Sequence, residues 1–219
     1  DVIKAAPKEL IETADDACAL PYKDELLPDD IQKFISSSEV AAVNVTEYTS
    51  ATPEMLVFIA GMCERIVKDL NLKIILVSHC EVDYPRLLNI FDLLDEQVKD
   101  AVLVPDTRSW RDKTLKKMIS CCRVAIGGRY HFIVFAGTSH TPFVGMSGNH
   151  YSYIKQDGFA RQIGMQSFIL SERDTWNMGT VFEKIREALK IKRDRMPDFQ
   201  KPSVSMQRFG EWIRSLAGV

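Results

Sequence analysis

Charge-handling groups are concentrated in one short run. Gly127, Gly128, Arg129, Tyr130 and His131 follow one another between two apolar stretches. Paired glycines after a strand let a ligand approach the backbone closely. Arg129 offers a planar fork that suits a carboxylate or a phosphate. A helix starting at Tyr130 would add free N–H groups and partial positive charge at the same place. His131 would then sit in the same first turn, beside that positive helix end. Both residues also have a structural use, with Arg129 paired to a carboxylate and His131 capping a loop. The run is not GxGxxG, so it carries no dinucleotide fingerprint.

Two further loops carry polar groups. His79, Cys80, Glu81 and Asp83 form one; the HxExD spacing matches neither a zinc helix nor a calcium loop, so we expect no metal. His79 suits substrate contacts, and nothing beside Cys80 marks it as a nucleophile. The other loop reads Ser147 to Lys155, with Asn149 as a helix N-cap, then His150, Tyr151, Tyr153 and Lys155. Lys155 could reach an anion. No GxSxG elbow supports a serine hydrolase. The neighbouring Cys121 and Cys122 read as buried packing.

The elements that must position these groups follow from the apolar pattern. Residues 40–46, 73–78, 101–104, 123–126, 142–146 and 167–170 read as buried strands. Helices are expected over 52–72, 84–99, 109–121, 130–137, 150–164, 175–192 and 204–216, after an irregular start. Phe209, Trp212 and Leu216 share one side of the last helix. Strands alternating with helices predict an α/β fold, a Rossmann-like doubly wound parallel sheet. Ligands in such sheets sit beyond the carboxyl ends of the strands, where all three loops fall.

Composition limits the partners. The 219 residues carry a net charge of -2, which argues against nucleic acid as a partner. Residues 1–100 hold 9 basic and 20 acidic side chains, against 19 and 10 in residues 101–219. The basic second half fits either solvated faces or a cleft for an anion. Five cysteines without a CxxC fit a reducing, cytoplasmic setting.

The stretch from Ile119 through Ser120, Cys121, Cys122, Arg123, Val124, Ala125 and Ile126 to Gly127, Gly128, Arg129, Tyr130 and His131, continuing to Ala136, resembles the central motif of the polysaccharide pyruvyl transferase family. Thr141-Pro142-Phe143-Val144-Gly145-Met146, Lys155, Phe159, Gly164, Val43-Asn44-Val45 and His79 extend the likeness, and residues 14–20 resemble the segment joining the halves of those enzymes. The resemblance covers about residues 14–170. It implies a GT-B-like enzyme, of which this chain is the C-terminal half. Residues 1–38 would then be the end of an absent N-terminal half, 39–192 the donor-binding domain, and 193–219 a tail and helix.

By the same resemblance, the donor is phosphoenolpyruvate, no cofactor is needed, and a pyruvate ketal forms on a sugar of a polysaccharide or its precursor. Arg129 and His131 would be catalytic, with Gly127, Gly128, Tyr130, Lys155, His79 and Asn149 binding substrate. A lipid-linked acceptor would bring the protein to the inner face of a membrane. One departure concerns the loop after the first strand. Some relatives carry an arginine there, whereas this chain has Thr46-Glu47-Tyr48-Thr49-Ser50, leaving Lys155 or Arg108 as a second clamp. Two other readings stay open: a nucleotide-sugar glycosyltransferase half, with Glu172 or Asp174 on the ribose, and a non-catalytic anion-binding module.

Overall fold

The strands are apolar on both faces, so both faces have to be covered. The protein, described here by a computed structural model over residues 15–171 and 177–196, does this with one parallel sheet between two layers of helices. The strands are β1 (Val40–Asn44), β2 (Lys73–Leu76), β3 (Val102–Leu103), β4 (Val124–Gly127), β5 (Phe143–Met146) and β6 (Ile169–Leu170). Their order is β3-β2-β1-β4-β5-β6, the doubly wound Rossmann order. The sequence reverses direction between β1 and β4, where Asn44 pairs in register with Gly127. That gap is the switch point at which ligands of such sheets bind.

The helices are α1 (Asp29–Ser36), α2 (Pro53–Leu70), α3 (Tyr84–Asp92), α4 (Glu96–Lys99), α5 (Asp112–Cys121), α6 (Tyr130–Thr138), α7 (His150–Gln162) and α8 (Met178–Leu189). Side chains alternate across each strand. Ala41, Val43, Ile74, Leu76, Val124 and Ile126 therefore face α2, α3 and α8. Val40, Ala42, Ile75, Ala125 and Phe143 face α5, α6 and α7. Local signals start the helices. Thr52 accepts a hydrogen bond from Met55 N with Pro53 at the first position, and Asn149 forms a capping box with Ser152. Asn71 ends α2 in the left-handed region, with φ 54°.

Several boundaries differ from the pattern-based expectation. The helix expected over 84–99 is two helices, because Asp95 caps a new one by accepting from Gln97 N. The helix expected from residue 109 begins at Asp112, after a 3-10 turn at Thr107–Ser109 and extended residues at Trp110 and Arg111. The irregular start holds α1 and a 3-10 turn at Asp16–Ala19. Ile31 and Cys18 bury into the core on the α5–α6 face. The signals for α1, a proline followed by two aspartates, are in the sequence. Cys122 is buried as expected, but Cys121 is exposed, since successive residues at a helix end point to opposite sides. Glu172, Asp174 and the helix expected over 204–216, with Phe209, Trp212 and Leu216, lie outside the described residues.

Glycine matters where layers touch. A Cβ at Gly145 on β5 would lie 2.5 Å from Gln156 Oε1 and 2.6 Å from Ile169 Cδ1. Gln156 is fully buried and donates from Nε2 to Gly128 O at 2.7 Å, so it has little room to give. Gly145→Ala should therefore lower stability by about 1–3 kcal/mol in urea denaturation. An unchanged midpoint would mean that β5 and α7 separate freely.

Candidate functional site

The site is assembled at the switch point. Asn44, at the end of β1, is buried and uses both ends of its amide. Its Nδ2 donates to Val77 O at 2.8 Å, and its Oδ1 accepts from Arg129 N at 3.1 Å. One side chain thus ties together the outgoing ends of β1, β2 and β4. The room left by the two glycines is filled by the protein itself. At Gly127 a Cβ would meet the Phe132 ring at 2.8 Å and Asn44 Cβ at 3.0 Å. At Gly128 it would meet Thr46 and Thr49 methyls and Met146 O within 3.1 Å. These glycines let the loop after β1 and the start of α6 close on β4.

Arg129 does not point freely into solvent. Its Nε donates to Asp83 Oδ2 at 3.2 Å and its Nη2 to Asp83 Oδ1 at 2.6 Å. The same Nη2 donates to Glu47 Oε2 at 2.6 Å. Asp83 has no exposed side-chain surface, and it also accepts from His79 N at 3.3 Å. Burial alone would lower the Arg129 pKa. The hydrogen bond and charge of Asp83 outweigh that and raise it, so the guanidinium is a permanent cation. Of the two uses the sequence left open for Arg129, pairing with carboxylates is realised.

His131 lies in the first turn of α6 with its side chain 48% exposed. Its Nε2 stands 3.5 Å from Asp15 Oδ2. The ring stacks on His79, with centroids 6.0 Å apart, and lies 5.2 Å from the Tyr130 ring. Burial, with Asp15 charge adding to it, pushes the Tyr130 phenol up to about 12. Burial, reinforced by His131, pulls His79 down to about 4, so its ring is neutral at pH 7. His79 Nδ1 is buried with no partner among the described residues. His79 therefore backs His131 as an uncharged ring.

Lys155 is exposed and lies over the Tyr130 ring at 4.5 Å and the Tyr151 ring at 5.5 Å. Asn149 uses its side-chain oxygen to cap α7. The structure thus gathers Gly127, Gly128, Arg129, Tyr130, His131, His79 and Lys155 around the start of α6, with Asn149 at the neighbouring helix. Arg108 is already engaged, paired through Nε and Nη2 with Asp106 and stacked on Tyr84. Cys80 has its thiol pKa raised by burial and by Asp83. Thiolate chemistry is thereby disfavoured.

Three residues were not singled out from the sequence. Asp15 faces Tyr130 and His131, Glu47 faces Arg129, and buried Lys116 donates to Ala17 O and Cys18 O, both at 3.2 Å. Burial pulls the Lys116 amine down to about 8. Lys116 fastens the 3-10 turn that carries Asp15 up to the α6 start. No local pattern marks these contacts, because each joins segments far apart in sequence.

A family model described as polysaccharide pyruvyl transferase matches residues 3–150. No curated protein matches the chain. Among solved structures, UDP-GlcNAc 2-epimerase of Methanocaldococcus jannaschii, in complex with UDP-GlcNAc and UDP, superposes with TM-score 0.62 at 14% identity, covering 86% of this chain and 49% of that one. A second structure of that enzyme gives TM-score 0.62 at 12% identity, over 88% and 50%. Trehalose 6-phosphate synthase of Burkholderia multivorans gives TM-score 0.50 at 13% identity, over 93% and 48%. These likenesses show a shared GT-B-type fold. The chain spans about half the length of the solved structures it matches.

The buried imidazole sets a pH dependence. The folded pKa of His79, about 4, lies below the ordinary 6.5, so the unfolded chain binds more protons between those values. The stability is present above pH 6.5 and is lost as pH falls through 4. Denaturation at pH 7 and at pH 4 should differ by about 3 kcal/mol on this account. His79→Phe should lose that share of the slope; identical slopes would show that His79 does not titrate here.

Proposed function

The chain belongs to the polysaccharide pyruvyl transferase family, and from that premise we propose that it forms the donor-binding half of an enzyme making a pyruvate ketal on a sugar. The donor is phosphoenolpyruvate and the acceptor a sugar with two neighbouring hydroxyls, in a polysaccharide or its precursor. The observation that carries this reading is the half-exposed imidazole of His131, standing between the Asp15 carboxylate and the neutral His79 ring at the switch point.

The chemistry needs a proton donor and fixed positive charge. Adding a proton to the methylene carbon makes a cationic centre at C2 of the donor. One hydroxyl oxygen bonds to C2, the C2–O bond to phosphate breaks, and the second hydroxyl bonds in its place. One hydroxyl proton balances the proton added to the methylene, and the other leaves with phosphate. His131 in its protonated form acts as the acid, with the Asp15 carboxylate 3.5 Å from its Nε2. Arg129, the uncapped first turn of α6 and Lys155 steady the carboxylate and the departing phosphate. Tyr130 shapes the wall and carries Lys155 on its ring face.

A lipid-linked acceptor would place the enzyme at a membrane surface. No described helix is long and apolar enough to cross a membrane.

Phosphate release from phosphoenolpyruvate, measured with a panel of sugar acceptors on the enzyme that contains this chain, tests the reading. His131→Ala should lower the rate about 10²–10⁴-fold with an unchanged melting temperature. Full activity without His131 would return the site to a non-catalytic role. Calorimetric binding of uridine diphosphate but not phosphoenolpyruvate would make the chain a glycosyltransferase half.

A further inference from the structure

We infer that Glu47 is an internal stand-in for the donor's anion, and that its release from Arg129 sets how tightly the site binds an acidic ligand. The inference deepens the function proposed above and rests on Arg129 receiving the donor.

The geometry of the guanidinium is decisive. A guanidinium has two faces that can hold an anion through two parallel N–H bonds. The side face, Nε with Nη2, is fully used by Asp83. The end face, Nη1 with Nη2, is the one left for a ligand. Among the described residues Nη1 has no hydrogen-bond partner, but the second hydrogen of Nη2 is held by Glu47 at 2.6 Å. An incoming phosphate or carboxylate can therefore grip the end face with two bonds only when Glu47 lets go.

The two carboxylates differ in how easily they can leave. Asp83 makes two bonds to Arg129, accepts a third from His79 N and is fully buried, so freeing it would strand a charge inside the protein. Glu47 makes one bond and its side chain is 36% exposed, so water can receive it. Its loop need not move. Thr46 N donates to Thr49 Oγ1, Tyr48 N to Thr46 Oγ1, and Ser50 Oγ to Thr46 O, which holds the backbone while the Glu47 side chain swings. With both carboxylates in place the cluster carries one net negative charge and repels an anion. With Glu47 turned away it is neutral, with a free fork. A ligand of higher charge competes better for that fork, so Glu47 favours a doubly charged phosphate over a lone carboxylate.

Calorimetry with inorganic phosphate tests this on the full chain and on Glu47→Gln and Glu47→Ala. Both substitutions should tighten phosphate binding at least tenfold while leaving the melting temperature within a few degrees. A structural role for Glu47 would not strengthen anion binding. Equal or weaker binding by both variants overturns the inference, and so does an absence of phosphate binding by all three proteins. Phosphoenolpyruvate is titrated in parallel. If the gain appears with phosphate while phosphoenolpyruvate is not bound, the proposed donor falls and the role of Glu47 stands.

Discussion

A carboxylate with no access to water is costly unless a partner cation and hydrogen bonds surround it. Asp83 meets that condition through Arg129, with the His79 amide as a third donor. The pair joins the loop after β2 to the loop after β4 across the end of β1. Asn44 repeats the connection below it, through the carbonyl of Val77 and the amide of Arg129. The mouth of the sheet is thus tied at two levels, and the start of α6 inherits its position from those ties. Arg129 is at once a structural cation and, through its remaining face, a candidate ligand group.

Close packing serves the same end. Phe132 and Asn44 occupy the space beside Gly127, and the Thr46–Thr49 turn lies on Gly128. Tyr48 lies equally close over Gly148. The loops after β1, β4 and β5 therefore touch without intervening side chains at the glycines. A rigid floor of this kind fixes the position of the first-turn histidine.

The segment before the sheet reaches the site as well. The 3-10 turn at Asp16–Ala19 is held by the buried amine of Lys116, and it brings Asp15 to the edge of His131 and Tyr130. Two carboxylates from remote segments, Asp15 and Glu47, thereby sit against the imidazole and the guanidinium of the motif. Asp15 lies beside a half-exposed ring, whereas Glu47 occupies a place on the guanidinium of its partner.

The residues themselves determined the layered α/β sheet, because continuous apolar strands and longer helical segments leave few other arrangements. They also marked the start of α6, through paired glycines, a cation and an imidazole ahead of an apolar run. Proline followed by acids announced α1, and Asp95 announced the break after α3, but both signals are short and compete with the apolar pattern around them. Only the tertiary structure decided which carboxylates meet Arg129 and His131. Those contacts join positions 82, 46 and 116 residues apart by chain closure across the sheet. The fold is written in local periodicity, whereas the charge state of the site depends on which distant loops the switch point brings together.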